Sequence, residues 1–490
     1  MNDRPVRAVG AVGVMAEQCL AQSPRGVVAA AAPAAARIAA GMLERGGNAF
    51  DAVVAAALAE TVLLPPKCGL AGDLVALVWA RDRVAPEALL AIGGAPAGLS
   101  AAAGRGELSA TGPMAVGVPG APAGYLALAS RARFGLGALA APAIEQATEG
   151  FCWSTVCTVL AGDARQLIER HQPDGSRYLP GGRPIAAGTV VTLPGLARVL
   201  EALVADGDGF LRGPVGRAIV ERTRAEGGIL ELDDFDFGRA EWVVAAEGSL
   251  HGAPFWATPA PTHGPSLLDA MGHLDHDSGP AQVRELVAAA IERRGLSLAD
   301  PSGTSMVSAV DGDGTMVSVI HSNSFPQFGS GLIVDEFDLI LANRAGRGFT
   351  PTPGHPNFPE PGRRPATTLH AWAYRPDHAQ RLLGGTPGGA NQMPWNAQSL
   401  ARLTRHGVPP TPFAVSESVV APRWQLDAGG GLTVEAGFAA ADADALAAGS
   451  DSVRNLDRWA LRSAMQIVGE LEGRYVAAAD PRTVSAIIPL

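Results

Sequence analysis

The sequence has little of several residue types, and each shortage excludes a class of function. Among 490 residues there is one lysine, Lys67, and no phosphate-loop glycines precede it, so nucleotide-binding P-loop chemistry is excluded and Lys67 is the only residue that could form a Schiff base. The chain has no run of basic residues and a formal net charge of -10, which argues against a nucleic-acid partner. Charged residues make up only 18% and apolar residues 47%, so we expect a large buried core rather than disorder.

Cysteines and long apolar runs are also scarce. No pair at CxxC spacing occurs among the four cysteines, which are Cys19, Cys68, Cys152 and Cys157. A chain of this size needs no disulfide framework, so we expect free thiols in a reducing compartment. The start, MNDRPVRAVGAVGVMAEQ, has no sustained apolar run, and the richer stretch at 27–47 is interrupted by Pro33 and Arg37. These features predict a cytoplasmic protein without a signal peptide or membrane span.

Motifs for other common chemistries are missing as well. There is no GxSxG nucleophile elbow and no HExxH pair. The stretch HLDHD at 273–277 contains metal-ligand residue types, but it favours a solvated turn over a metal site. We therefore predict neither a metal nor a cofactor.

What is present is an alternation of helix-like and strand-like segments. Helix patterns cover 33–45 and 49–64, and LVALVWA at 74–80 is typical of a buried strand. Strand-like runs return in EWVVAAEGSL and PFWATPA. At 301–324, PSGTSMVSAVDGDGTMVSVIHSNS predicts two strands joined by a tight turn at DGDG. The pattern predicts an α+β fold or a layered αββα arrangement.

The hairpin opens with a hydroxyl, at Thr304. A threonine hydroxyl is a poor nucleophile unless a base removes its proton. If the Gly303–Thr304 bond breaks, the new α-amine lies on the same residue, and its ordinary pKa of about 7.7–8.0 suits a general base near neutral pH. An ordinary threonine at the start of a strand is the alternative that the local pattern leaves open.

The longer pattern resembles the γ-glutamyltranspeptidase family. The residues that carry this resemblance, in the family's order, are GMLERGGNAFDAVVAAALA, GVPGAPAGY, EGGILELDDF, the Thr304 hairpin with FGSG after it, GRRPATTL, GGTPGGANQ, APRW and AADPRTVSA. The resemblance implies a four-layer αββα N-terminal-nucleophile hydrolase, made as a precursor that cuts itself. It also implies a large-subunit-like segment at 1–303 and a small-subunit-like segment at 304–490, intertwined in one αββα unit.

The family's site residues carry over by position. Thr304 matches the nucleophile, with its amine as base, and Ser322 matches a hydroxyl that supports the amine. Asn323 or Ser324 falls where the family has a carboxylate-binding asparagine, and an extra residue before FGSG leaves both open. The resemblance further implies a pair of donor-pocket hydroxyls and two oxyanion-hole glycines, whose missing side chains allow close approach of the backbone; these are Thr367, Thr368, Gly388 and Gly389.

The chain departs from the family at the substrate grip. Gly93 and Gly94 stand where the family has an arginine for the donor carboxylate. Arg344 and Arg347 stand where an acid for the donor ammonium is expected, and they either hold an anionic group or are solvated. Losing both partners removes the grip on an amino-acid zwitterion, unless Asp73 replaces the anion. The segment after GRGF is also short for a covering lid.

These departures separate the reaction from the substrate. We predict a threonine hydrolase that cleaves a small-molecule amide, γ-glutamyl or a related acyl, with water as acceptor rather than a second substrate. An amidohydrolase or acylase acting on a small non-amino-acid amide such as oxamate is an alternative, and an uncleaved binding protein is another. A homo-oligomer of processed heterodimers is possible. No membrane or nucleic-acid partner is expected.

Overall fold

The structure is a computed structural model that describes residues 11–293, 303–407, 409–427 and 431–490. In chain order, its helices are α1 (Ala11–Gln18), α2 (Pro33–Glu44), α3 (Ala49–Leu63), α4 (Leu99–Gly104), α5 (Ala121–Ala129), α6 (Leu136–Glu149), α7 (Thr155–Asp163), α8 (Arg165–His171), α9 (Pro194–Asp206), α10 (Pro214–Arg224), α11 (Gly264–Met271), α12 (Pro280–Arg293), α13 (Arg344–Gly348), α14 (Gln392–Leu403), α15 (Pro412–Val420) and α16 (Ala440–Ala447). None of these helices is long and apolar enough to cross a membrane.

The strands are short and mostly antiparallel. In chain order they are β1 (Leu20–Ser23), β2 (Val27–Ala30), β3 (Asp73–Trp79), β4 (Glu87–Ala91), β5 (Phe151–Cys152), β6 (Val190–Val191), β7 (Glu241–Val244), β8 (Ala246–Leu250), β9 (Ala253–Ala257), β10 (Thr304–Val310), β11 (Met316–Ser322), β12 (Ile333–Val334), β13 (Leu339–Ile340), β14 (Ala371–Tyr374), β15 (Arg381–Gly385), β16 (Trp424–Leu426), β17 (Leu432–Glu435), β18 (Val453–Leu456), β19 (Gln466–Leu471), β20 (Arg474–Ala479) and β21 (Ala486–Pro489).

The predicted helix pair is confirmed as α2 and α3. Helix α2 begins with Pro33, whose fixed φ suits the first turn. Helix α3 begins at an Asn48 cap, whose side chain accepts from the N–H groups of Phe50 and Asp51, while Asp51 accepts from the Asn48 N–H. All fifteen residues of α3 are buried, so this helix lies inside the molecule and packs on every side.

Two seven-stranded sheets form the centre, and their strand orders are β21-β2-β10-β11-β3-β4-β7 and β1-β20-β19-β15-β14-β9-β8. One apolar cluster joins α2 and α3 to the first sheet, and another joins α11, α12, α14 and α15 to the second sheet. A third cluster lies between the sheets and contains side chains of both, among them Leu77 of the first sheet and Leu383 of the second. The order of layers is therefore helix, sheet, sheet, helix, which confirms the predicted α+β αββα sandwich.

Segments before and after Thr304 share both sheets. In the first sheet β10, β11 and β21 pair among β2, β3, β4 and β7. In the second, β20, β19, β15 and β14 lie side by side between β1, which pairs with β20, and β9, which pairs with β14. A break before Thr304 would leave both sheets assembled from two polypeptides, so the fragments would stay associated.

The predicted hairpin is confirmed as β10 and β11, joined by a turn in which Gly314 has φ +79°. Asp311 closes this turn by accepting from the N–H groups of Asp313 and Thr315. The register places Thr304 opposite Ser322. Side chains alternate between faces of a strand, so Thr304 and Ser322 share one face while Ser305 and His321 share the other.

Candidate active site

A pocket with a volume of about 370 Å³ opens at Thr304, at the end of the space between the sheets. Most of the residues predicted for the site line it, although they come from distant parts of the chain. Those predicted residues are Gly303, Thr304, Ser322, Ser324, Arg344, Arg347, Thr367, Thr368 and Gly389. The structure therefore brings together residues that the sequence places up to 86 positions apart (Gly303 to Gly389).

Hydrogen bonds connect the Thr304 hydroxyl to the peptide bond before it. Thr304 Oγ1 donates to Ser322 Oγ at 3.0 Å, and Ser322 Oγ donates to the Gly303 carbonyl oxygen at 2.6 Å. The Ser324 N–H donates to the same Ser322 oxygen at 2.9 Å. A β-carbon at Gly303 would lie 2.0 Å from the Ser324 carbonyl oxygen, so this close approach requires glycine. Ser322 therefore holds both the hydroxyl and the carbonyl of the Gly303–Thr304 junction.

The two residues left open as carboxylate partners lie in different places. Asn323 is fully buried away from the pocket, where its Nδ2 donates to the Pro65 carbonyl oxygen and its N–H to that of Lys67. Ser324 lines the pocket, with a left-handed φ of +68°. Of the two, Ser324 is the residue whose position allows contact with a substrate.

Arg344 enters the pocket wall as half of a buried ion pair. Its Nε donates to Asp73 Oδ2 at 2.7 Å, and the other Asp73 oxygen accepts from the Gly93 N–H at 3.0 Å. Burial raises the pKa of Asp73, and the Arg344 charge and the Gly93 N–H partly offset that increase. Asp73 is thus paired with Arg344 and does not line the pocket, which argues against the expectation that it holds a substrate ammonium.

The glycines that replace the family's arginine leave no space for a side chain. A β-carbon at Gly93 would lie 1.6 Å from the Val118 carbonyl oxygen, and one at Gly94 would lie 2.7 Å from that of Gly362. The Asp73 carboxylate accepts from the Gly93 N–H and also from Arg344, and it thereby orients the arginine. A cation, Arg344, therefore lies beside this region, but it comes from α13 and not from the position of the family's arginine.

Arg347, one helical turn after Arg344, lines the same pocket. Its guanidinium lies 6.0 Å from the centre of the Phe325 ring, and partial burial lowers its pKa. No aspartate or glutamate is among the described residues that line the pocket. The part of the pocket wall that the structure describes therefore carries two arginines and no carboxylate.

The two predicted oxyanion glycines form the turn after β15. Gly388 has φ +153° and Gly389 φ +57°, and a β-carbon at Gly388 would lie 2.4 Å from the Trp395 ring. Gly389 lines the pocket, whereas Gly388, the residue before it in the chain, does not. In the orientation that satisfies its neighbours, the Gln392 side chain donates to the Thr386 and Thr368 carbonyls and accepts from the Gly389 N–H at 3.3 Å. This last contact is at the long end for a hydrogen bond.

A buried histidine, His370, contacts the backbone of Thr368, one of the two predicted hydroxyl residues. His370 Nδ1 lies 2.8 Å from the Thr368 carbonyl oxygen, and its Nε2 lies 2.9 Å from Asn396 Nδ2. The pattern requires a neutral ring that donates at Nδ1 and accepts at Nε2. Burial accordingly lowers the pKa of His370 from 6.5 to about 4.

This histidine is expected to make the protein less stable in acid. The unfolded chain takes up a proton at His370 near pH 6.5 and the folded chain only near pH 4, so stability falls as the pH drops through that window. The loss amounts to about 3 kcal/mol for this group. Urea unfolding at pH 7 and pH 4.5 should show a smaller loss for His370→Phe than for the natural chain; equal losses would contradict the prediction.

Several pocket residues were not identified from the sequence. Among them are His263, Thr350 and Asn357, and the last two come from the segment after GRGF, which is short for a lid. Asn357 holds that segment in place because its Oδ1 accepts from the Ala366 N–H at 3.2 Å. No motif marks Thr350 or Asn357, although their position after GRGF places them near the site.

One group of potential metal ligands occurs in the described ranges, and it lies outside the pocket. Donor atoms of Glu60, Cys68 and His321 all lie within 4.8 Å of one another. The Glu60 carboxylate already accepts from two backbone N–H groups and from the Ser305 hydroxyl. The group therefore fits a hydrogen-bonded network better than a cation site.

The predicted free thiols are confirmed, since all four cysteines are unpaired.

The chain is similar to known proteins over most of its length. The chain is 28% identical to the oxamate amidohydrolase proenzyme of Klebsiella pneumoniae over 95% of its own length and 98% of that protein. It is 24% identical to the glutathione hydrolase proenzyme of Escherichia coli, covering 94% and 91% of the two chains. The fold superposes on the crystal structure of cephalosporin acylase from Bacillus halodurans with a TM-score of 0.82 and 26% identity, covering 100% and 98%. The gamma-glutamyltranspeptidase family model matches residues 35–293 and 282–490, so the chain belongs to this family of amide hydrolases with the N-terminal-nucleophile fold.

Proposed function

We propose that the chain is a self-processing threonine hydrolase that cleaves the amide of a carboxylate-bearing acid through an acyl-enzyme. The observation that carries the proposal is the contact of Thr304 Oγ1 with Ser322, which in turn holds the Gly303 carbonyl, at the mouth of a pocket with two arginines. A hydroxyl, a scissile carbonyl and an anion-binding wall thus lie together.

Self-processing would begin at this junction. Thr304 Oγ1 attacks the Gly303 carbonyl carbon and forms a C–O bond, the C–N bond breaks, and the hydroxyl proton passes to the departing nitrogen. Ser322 supports both events, because its hydroxyl accepts from Thr304 and donates to the carbonyl that develops charge. Water then hydrolyses the resulting ester, which leaves a carboxylate on Gly303 and a free amine on Thr304.

In turnover the new amine is the general base for the Thr304 hydroxyl. The hydroxyl attacks the carbonyl carbon of the substrate amide, and the α-amine passes the hydroxyl proton to the substrate nitrogen, which leaves as an amine. Water then releases the acid from the acyl-enzyme. We assign the tetrahedral oxygen to the backbone of the Gly388–Gly389 turn, where Gly389 faces the pocket. The weak 3.3 Å contact of the Gly389 N–H with Gln392 is one that a developing negative charge would displace.

The substrate follows from charge. Arg344 and Arg347 favour a carboxylate on the acyl group, and Ser324, Thr367 and Thr368 offer hydroxyls beside it. Because no acid among the described lining residues faces an ammonium, acids without an α-amine fit better than γ-glutamyl compounds. The name of the Klebsiella relative, an oxamate amidohydrolase, supports this choice. Water is the proposed acceptor, and a cytoplasmic location and a homo-oligomer stay predictions.

The proposal is tested first on the purified protein. Intact-mass analysis should show two fragments, residues 1–303 and residues 304–490, while the native mass corresponds to their complex because both segments share both sheets. Turnover of oxamate, a glutaryl anilide and a γ-glutamyl anilide should then be compared. A fully active protein that remains one polypeptide of 490 residues would contradict self-processing.

A further inference from the structure

A second polar cluster lies on the opposite face of the Thr304 hairpin. Strand residues Val307, Ala309, Val317 and Val319 on that face are apolar and belong to the core shared with α3. The face becomes polar only at its end, where Ser305 and His321 lie opposite each other. This pair is adjacent in the ladder to Thr304 and Ser322.

The Glu60 carboxylate of α3 contacts both residues. Its Oε2 accepts from Ser305 Oγ at 2.6 Å and lies 3.0 Å from His321 Nε2. Its Oε1 accepts from the N–H groups of Ala31 and Ala32, at 2.8 and 3.2 Å, in the residues that lead into α2. The carboxylate therefore ties two helices to the end of the hairpin.

The network continues to a tyrosine. Tyr125 Oη lies 2.7 Å from His321 Nδ1, and burial, with the nearby Cys68 and Glu60 charges, raises the pKa of Tyr125 so that it stays a hydroxyl. His321 is thus held at both ring nitrogens, by Glu60 at Nε2 and by the Tyr125 hydroxyl at Nδ1, and these contacts fix the orientation of the ring. Glu60 and His321 are entirely inaccessible to solvent.

Burying such groups is costly unless they are paired, and an apolar pair at 305 and 321 would continue the pattern of this face without that cost. The polar residues form instead the pair next in the ladder to the candidate nucleophile and its serine partner, whose side chains lie on the reverse face. A strand residue whose side chain is fixed on one face also fixes the backbone from which its neighbour projects.

We propose that Glu60 is a positioning residue, which acts through Ser305 and His321 to hold Thr304 and Ser322 in the geometry needed for attack. This inference rests on the proposed function, because it assumes that Thr304 is the nucleophile. Displacement of a reacting group by about 1 Å can cost about a hundredfold in rate, so loss of this anchor should slow the chemistry without preventing folding.

The test compares variants that differ by one hydroxyl. Ser305→Thr and Ser305→Val add the same branch to the buried strand, but only the threonine can donate to Glu60. Full-length chains made by cell-free synthesis are followed by denaturing gel for cleavage before Thr304. We expect Ser305→Val to be cleaved about tenfold more slowly than Ser305→Thr. Glu60→Gln, which turns an amide donor toward the Ser305 hydroxyl, should be slowed similarly.

Ser308→Ala is the matched control, since Ser308 forms a buried hydroxyl pair with Ser318 at 3.0 Å farther along the same hairpin. It should be cleaved within about twofold of the natural rate. Thermal midpoints of all variants are measured with Thr304→Ala added, so that cleavage does not affect the comparison.

The outcomes separate the two proposals. If the natural chain is cleaved and Ser305→Val matches Ser305→Thr, the positioning role is wrong while the hydrolase proposal stands. It is also wrong if Ser308→Ala slows cleavage as much as Ser305→Val, because any buried hydroxyl would then serve. If the natural chain is not cleaved, the proposed function fails and the positioning role fails with it.

Discussion

Thr304→Ala is expected to leave the protein as one polypeptide and to reduce turnover by at least about 10⁴-fold, the scale on which loss of a nucleophile acts. Alanine removes the oxygen that attacks the Gly303 carbonyl, so the α-amine that serves as base is never released. The variant should fold normally, because Thr304 is the first residue of β10 and its side chain, among the described residues, hydrogen-bonds to Ser322 alone. Denaturing gels and initial rates on the same preparation measure both effects.

Thr304→Ser is the companion variant. Serine keeps the hydroxyl and, after cleavage, the amine, so both processing and turnover should persist at reduced rates. Ser308→Ala, which removes a hydroxyl from the same strand outside the pocket, should behave as the natural protein. A Thr304→Ala protein that still hydrolyses substrate at the natural rate would place the nucleophile elsewhere.

Much of the fold was predictable because its signals are local. The Asn48 cap and the Gly46–Gly47 stop delimit α2 and α3 within a residue of the predicted bounds. The DGDG turn fixes the hairpin, and its length alone sets Thr304 opposite Ser322. The prediction that Thr304 opens a buried strand followed from these short-range features, and the structure confirms it.

Residues of the site could be predicted only where a motif indicates the conformation of the backbone. Gly388 and Gly389 were predicted as the oxyanion-hole glycines, and that role stays a prediction, although a β-carbon at Gly388 would lie 2.4 Å from the Trp395 ring. The choice between Asn323 and Ser324 depends instead on a left-handed residue at the end of β11, which turns Ser324 toward the pocket. One extra residue in the sequence does not reveal which side chain the turn selects.

Long-range pairs were beyond the sequence. Arg344 contacts Asp73 across 271 positions, and Glu60 contacts Ser305 across 245. Both acids are fully buried, and nothing in the local sequence distinguishes them from surface acids until the sheets and helices are packed. The expectation that Asp73 holds a substrate ammonium was reasonable from its neighbours but overlooked this partner.

The Asp73–Arg344 pair leads to the second large effect, which concerns the substrate. A glutaryl anilide should be hydrolysed with a kcat/KM about a hundredfold above that of the γ-glutamyl anilide, which differs only by an α-ammonium. That ammonium would be desolvated beside two arginines with no acid among the described lining residues, and an unpaired buried charge costs several kcal/mol. A hundredfold preference for the γ-glutamyl compound would show that another residue supplies the missing anion.

The role of Arg344 is tested by replacing both members of the pair, because removal of the arginine alone would leave Asp73 buried and unpaired. Asp73→Asn with Arg344→Gln removes both charges and leaves two amide groups that can still form hydrogen bonds. The kcat/KM for the glutaryl anilide should fall about a hundredfold, since a lost charged hydrogen bond in a buried site costs about 2–5 kcal/mol. The kcat/KM for the pentanoyl anilide, which has a methyl group in place of the carboxylate, should change by less than about threefold. An equal loss on both substrates would mean that the pair supports the pocket rather than recognises the acid.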